Sequence, residues 1–195
     1  MRSQVDVKQI APVVYGYHEN PFNVLGPHRI EDNGRQALAV RAYLPESKQV
    51  WLVDPSKGSS QPMRQIHPAG LFEAVTHPEI FDKQIGRNYQ FRAINQSGEQ
   101  TTMHDPYSFD PYISDYDLHL LGEGRHWDCY RKLGAHLREV NGVEGVNFAV
   151  WAPNAESVSV VGDFNKWDRR THAMRKHGPG GIWEIFIPDL KLGTL

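Results

Sequence analysis

Part of this sequence occurs twice. Val24-Leu25-Gly26-Pro27-His28 returns 108 residues later as Lys132-Leu133-Gly134-Ala135-His136. The same offset carries Asn33-Gly34 onto Asn141-Gly142 and Val40-Arg41-Ala42-Tyr43-Leu44-Pro45 onto Phe148-Ala149-Val150-Trp151-Ala152-Pro153. It also carries Val50-Trp51-Leu52-Val53 onto Val158-Ser159-Val160-Val161. Further on, the offset is 111: Met63 falls on Met174, and Gly70-Leu71-Phe72-Glu73 on Gly181-Ile182-Trp183-Glu184. Three extra residues in the intervening turn account for the change. A repeat of this length means two related modules, so any fold proposed for one copy must also suit the other.

Each copy reads as strands. Val146, Phe148 and Val150 alternate with Asn147, Ala149 and Trp151, and Val158 and Val160 follow the Pro153-Asn154-Ala155 turn. Leu38, Val40 and Ala42, then Val50 and Leu52, repeat the pattern. Such alternation between turn formers marks half-buried antiparallel strands. Many aromatics beside 17 Gly and 13 Pro agree with an all-β chain. The expected fold is two tandem immunoglobulin-like β-sandwich modules joined by a packed linker, although alternation does not separate a sandwich from a barrel. The expected division is a lead-in over 1–19, a first module over 20–103, a linker over 104–131 and a second module over 132–195. The lead-in is either a short helix from Val7 to Val14, interrupted by Pro12, or extended chain. Asp117–Gly122 reads as a helical turn. Tyr107, Tyr112, Tyr116 and Trp127 make the linker packed rather than a flexible tether.

The repeat also exposes a gap. After Ile85-Gly86 the first copy continues into a strand, Tyr89-Gln90-Phe91-Arg92-Ala93-Ile94, whose counterpart belongs after Leu192-Gly193. The sequence ends at Leu195. The second module is therefore expected to lack its last strand or strands, and the chain to be a fragment of something longer. The alternative is a module that lost the strand naturally.

Several functions are disfavoured. Lys and Arg total 21 against 23 Asp and Glu, so neither nucleic acid nor an anionic membrane is an expected partner. Mean hydropathy is −0.55 and no apolar run reaches membrane-spanning length. The N-terminus has no apolar signal region. The single Cys129 permits no internal disulfide framework and suits a reducing, cytoplasmic setting. Its sequence neighbours His126 and Asp128 need not face it. None of the ten histidines stands four residues from another, so no metal is expected, and no cofactor motif is present. His28 and His136 occupy equivalent positions and should share a structural hydrogen bond.

Longer stretches resemble a known family. Asn20-Pro21-Phe22-Asn23-Val24-Leu25-Gly26-Pro27-His28 looks like the opening motif of bacterial glycogen branching enzymes, which usually has Asp where Asn20 stands. Asp117-Leu118-His119-Leu120-Leu121-Gly122-Glu123-Gly124 and Leu133-Gly134-Ala135-His136 resemble their inter-module link. Val146–Ala155, Val161-Gly162-Asp163-Phe164-Asn165-Lys166-Trp167-Asp168 and Gly181–Pro188 are similar to the starch-binding-type module before their catalytic barrel. The resemblance covers essentially the whole chain. It implies a parent enzyme that transfers an α-1,4-glucan segment to a 6-hydroxyl through a retaining double displacement by two carboxylates. In that family both lie in a (β/α)₈ barrel, whose motifs do not occur here, so no catalytic residue is assigned. The barrel, within the same parent chain, and α-glucan (glycogen, amylose, maltooligosaccharides) are the implied partners. Asp163 and Asp168 read as turn residues.

Glucan binding uses flat aromatic rings against the C–H faces of sugars. The core face of its strand is expected to be Val146, Phe148 and Val150, so Trp151 points away from it. It is either a stacking platform or an interface residue covered by the other module or by the barrel. Tyr43 takes the same place in the first copy. Trp167, after the Asp163-Phe164-Asn165 turn, either caps the sandwich or meets sugar. Trp183, in phase with Ile185 and Ile187, belongs to the core, and Trp51 is an interface candidate. The rival to a branching-enzyme fragment is a free-standing glucan-binding or protein-interaction module with no enzymatic role.

Overall fold

The computed structural model describes residues 5–77 and 89–194. It is mostly β, with three four-stranded antiparallel sheets and two short helices. Two compact units form: Met1–Tyr15 with Phe22–Ser108, and Gly16–Pro21 with Phe109–Leu195. The stretch 104–131, read as a linker, divides at Ser108.

In unit 1, helix α1 (Val7–Tyr15) contains Pro12, buries Val13 and Val14, and stops at Gly16, whose φ of 73° is a left-handed C-terminal stop. Strands β1 (Gly26–Asp32), β2 (Arg35–Tyr43), β5 (Arg64–His67) and β6 (Leu71–Thr76) form a sheet in the order β1-β2-β6-β5. Strands β3 (Ser47–Asp54), β4 (Ser59–Pro62), β7 (Gln90–Asn95) and β8 (Gln100–His104) form the second, β4-β3-β7-β8. The core holds Val40, Ala42 and Phe72 from one sheet and Val50, Leu52 and Phe91 from the other. This is a β-sandwich. Ile85 and Gly86 lie outside the described residues. Tyr89 Oη hydrogen-bonds the buried Asp105 carboxylate, which also accepts from Tyr107 N at 2.9 Å.

Unit 2 repeats the first of these sheets. Strands β9 (Gly134–Val140), β10 (Val143–Trp151), β11 (Arg175–His177) and β12 (Ile182–Pro188) run in the order β11-β12-β10-β9. Shifting β1 and β2 by 108, and β5 and β6 by 111, gives the same order. Both first hairpins turn at Asn-Gly with φ of 51° and 76° in one copy and 53° and 79° in the other. Positive φ at both central residues matches the twist of the flanking strands. The repeat persists in single hydrogen bonds. His28 Nε2 meets Leu25 O at 3.1 Å, and His136 Nε2 meets Leu133 O at 2.9 Å. Met63 N donates to Val50 O and Met174 N to Val158 O, both at 2.8 Å.

Leu44 N donates to Gly70 O at 2.8 Å, and Ala152 N to Gly181 O at 2.7 Å. At these contacts a Cβ on Gly70 would lie 2.4 Å from Pro45 Cα, and one on Gly181 2.3 Å from Pro153 Cα. Both glycines also have positive φ. Gly70→Ala and Gly181→Ala should each cost about 1–3 kcal/mol, measured by urea unfolding of the single variants. An unchanged midpoint in either would show that the turn relaxes freely.

The second sheet is not repeated among the described residues. The counterpart of β3, residues 155–162, makes one isolated bridge, Ser159 to Ala173. In unit 1, β3 is zipped to β7, and β7 shifted by the same offset falls beyond the last residue of the sequence.

This alters which face of β10 is buried. Val146 is 9% exposed, Phe148 is half-buried and Val150 is 40% exposed, so the expected core face is buried at only one end. The opposite face carries Asn147 and Ala149, both buried. Residues 109–133 account for this: Ile113 packs with Ala149 and Ile182, backed by Leu118, Leu121 and Leu133. Helix α2 (Asp115–Gly122) opens with Ser114, whose side chain accepts from Asp117 N while Asp117 accepts from Ser114 N. This reciprocal cap fixes the first turn.

The segment is latched by Glu184, 2% exposed. Its carboxylate accepts from Tyr112 N at 2.7 Å, from Ile113 N at 3.3 Å and from His177 Nε2 at 2.7 Å. Burial pushes this carboxyl up, but His177 and the two backbone N–H groups outweigh it and hold Glu184 below the usual range. The repeat partner is Glu73, bound to Arg41 Nε at 2.9 Å and Arg64 Nη2 at 3.1 Å. Arg175 repeats Arg64, but Ala149 stands where Arg41 does, and Ile113 packs on it. No described helix is long and apolar enough to cross a membrane.

Candidate functional site

Trp151 ends β10 opposite Ile182. Its indole Nε1 donates to Gly180 O at 3.1 Å, and the side chain is 64% exposed. The acceptor belongs to the 178–181 turn, which is tied to the strand end by the Ala152–Gly181 bond. The ring is therefore fixed by its edge while much of its surface meets water. Trp183, one strand over, is fully buried and donates to Ala152 O at 3.0 Å, so it is a core residue as expected.

Trp167 is 63% exposed and stands in a turn with successive left-handed residues, Lys166 at φ 55° and Trp167 at φ 60°. Such conformations are costly away from glycine and persist where neighbours impose them. Here Trp167 Nε1 donates to Asp163 Oδ1 at 2.9 Å. Asn165 accepts from Gly162 N at 2.9 Å and donates to Val160 O at 2.9 Å. Asp168 takes Arg170 through Nε at 2.9 Å and Nη2 at 2.7 Å. Those Arg170 bonds hold the Asp168 carboxyl below its ordinary value. Asp163 and Asp168 are thus both engaged in shaping the turn.

Tyr43 is a correction. It is 4% exposed, and its hydroxyl donates to Val14 O at 3.3 Å. Helix α1 of its own unit covers the ring, so it offers no face to sugar. The repeat equates Tyr43 with Trp151 in the sheet but says nothing about the cover, which differs between copies. Trp51 is half-buried beneath the Arg92 guanidinium, 5.1 Å from its ring centroid. Trp151 is held by Gly180 and Trp167 by Asp163, so unit 2 presents two plates with different anchors. Cys129 N donates to His126 O, while the His126 ring bonds Asp117. Among the described residues no three His, Cys, Asp or Glu side chains group as metal ligands.

Sequence reasoning missed a third aromatic group. Trp127 is 91% exposed, Tyr116 70% and Tyr130 62%, although the linker aromatics were expected to pack. Only Tyr107 is buried, and Tyr112 lies partly covered beneath Lys132 and Arg138. The charged neighbours Arg125, Asp128 and Arg131 were the available signal.

Residues 6–107 match the family described as "alpha-1,4-glucan branching enzyme GlgB, N-terminal domain". The chain belongs to this branching-enzyme family. Residues 132–195 match a second family, carbohydrate-binding module 48 (isoamylase N-terminal domain), and both plates lie within the matched residues. A 1,4-alpha-glucan branching enzyme GlgB of Rhodopirellula baltica is 45% identical over 99% of this chain and 26% of its own length. The enzyme of the same name from a Nostoc species is 46% identical over 95% of this chain and 24% of its own. The chain thus spans about a quarter of these relatives' lengths. The catalytic module of the pneumococcal glycogen-degrading protein SpuA aligns with 50% of this chain and 14% of its own at 17% identity. The TM-score of that alignment is 0.33.

Proposed function

We propose that this chain is the non-catalytic glucan-positioning region of a cytoplasmic 1,4-α-glucan branching enzyme. The parent reaction moves an α-1,4-glucan segment to a 6-hydroxyl, with its carboxylates in a barrel C-terminal to these residues. Trp151 and Trp167 stack on α-glucan and keep long chains near that barrel, which the modules also buttress. The observation that carries this reading is a pair of exposed indoles, each locked by its N–H, in a segment that matches a carbohydrate-binding module. A ring held in place loses little freedom when sugar covers it.

Maltoheptaose should perturb the tryptophan fluorescence of the 195-residue chain. Trp151→Ala and Trp167→Ala should each weaken binding roughly tenfold with the fold retained. The chain alone should not shift the iodine spectrum of amylose. Unchanged affinity in both variants removes these residues from the site, and branching by the isolated chain overturns the assignment of chemistry to the barrel.

A further inference from the structure

The group formed by Tyr116, Trp127 and Tyr130 has no role in the fold described above. Trp127 in particular leaves almost its whole surface in water. The backbone beneath it is nonetheless fixed. His126 Nε2 lies 2.9 Å from Asp117 Oδ1, and Lys132 Nζ lies 3.0 Å from Asp117 Oδ2. Ser114 Oγ donates to the same carboxylate at 2.7 Å. This node folds residues 126–132 against the start of α2. Because Asp117 follows Tyr116 and His126 precedes Trp127, their contact joins the two stretches of backbone that carry these exposed rings. Arg125 N bonds Leu120 O at 2.9 Å, and Leu133 N bonds Cys129 O at 2.8 Å, closing both sides of the segment. Arg131 lies over the Tyr130 ring, 5.7 Å from its centroid, and its Nε donates to Tyr130 Oη at 3.2 Å.

The surroundings select the ligand. Arg125 pairs with Glu123 at 3.4 Å, Arg131 with Asp128 at 4.0 Å, and Lys132 with Asp117. Cations already answered by carboxylates make a poor trap for phosphate or an acidic peptide. Exposed Glu123, Arg125, Asp128 and Arg131 lie in the same stretch of chain as the rings, whereas the centre of a protein interface is depleted of charge. Separate flat rings with hydrogen-bonding groups among them suit a neutral, polyhydroxylated chain that alternates C–H faces with hydroxyls.

We infer that Tyr116, Trp127 and Tyr130 form a second α-glucan-binding platform, separate from Trp151 and Trp167. The inference rests on the glucan-binding reading for its ligand class, but its residues are different. The test is ¹⁹F NMR of the 195-residue chain labelled with 5-fluorotryptophan and titrated with maltoheptaose, each resonance assigned by a Trp→Phe variant. The Trp127 resonance should shift saturably. Tyr116→Ala with Tyr130→Ala should raise its midpoint about fivefold and leave those of Trp151 and Trp167 unchanged. A stationary Trp127 resonance while Trp151 or Trp167 shifts overturns this inference and leaves the proposed function standing. A shift confined to Trp127 supports the platform and removes the other two plates. No shift in any resonance overturns both. An equal Trp127 response to cellohexaose, or one to protein concentration without sugar, also overturns the α-glucan assignment.

Discussion

Glu184→Ala is expected to destabilise unit 2 by about 3–5 kcal/mol, the usual effect of removing one partner from a buried charged network. The loss goes beyond a single ion pair. Tyr112 N and Ile113 N lose their acceptor, His177 loses its 2.7 Å contact, and Arg175 loses a nearby countercharge. An N–H stripped of its partner in a dry site keeps its full desolvation penalty. Glu184→Gln retains one acceptor oxygen and should cost less. Hydrogen exchange at Tyr112 and Ile113 reports the event directly: both amides should exchange much faster in the alanine variant. Protection unchanged at Ile113 would mean that apolar packing on Ala149 and Ile182 holds the segment and the carboxylate does not.

The two units should answer acid in opposite directions. His172 of unit 2 is half-buried, edge-on to Phe164, with Nδ1 facing Asn165 Nδ2 at 3.1 Å. Burial lowers its pKa from 6.5 to about 4, against a smaller opposing pull from Asp168. The folded form therefore binds its proton more weakly than the unfolded chain does. Its contribution is complete above pH 6.5 and is lost as pH falls toward 4, on the order of 3 kcal/mol in all. Asp105 of unit 1 behaves inversely. Burial raises its pKa from 3.8 to about 7, while the bonds from Tyr89 and Tyr107 pull the other way. The folded form holds this proton more tightly, so stability is greatest below pH 4 and declines as pH rises through 7, on the order of 4 kcal/mol. Unit-specific hydrogen exchange between pH 4 and 7 should show unit 2 weakening and unit 1 strengthening as acid is added. His172→Gln should flatten the first slope and Asp105→Asn the second. Unit 2 failing to weaken in acid would refute the His172 assignment, and unit 1 failing to strengthen would refute that of Asp105.

Much of the fold was legible because a repeat doubles each local signal. Alternation at Leu38, Val40 and Ala42 placed one face of β2 in the core, and the offset carried the strand assignment to β10. The burial of β10 did not follow, because a face is buried by whatever lies across it. Val150 repeats Ala42, yet β3 and β7 lie across Ala42, while residues 155–162 form no sheet over Val150. Tyr43 and Trp151 diverge for the same reason. One is roofed by α1 through Val14, whereas the other is held at its edge by Gly180 O and stays exposed. The exposure of Trp127 was signalled only by its charged neighbours Arg125, Asp128 and Arg131, since an aromatic linker residue by itself reads equally as packed or presented. The paired histidines were readable because equivalence alone decides them, while Trp183 sits in a strand buried on both faces, where its phase with Ile185 and Ile187 was not needed.

The alanine at 149 carries a wider meaning. An acid that balances its charge within its own sheet makes a self-contained part. The later copy has Ala149 in place of that arginine, and its glutamate instead grips Tyr112 and Ile113, just ahead of α2, which lies 108 residues after α1. The two sheets share a blueprint but are no longer exchangeable spares. One keeps its own accounts; the other is wired to its neighbours along the chain.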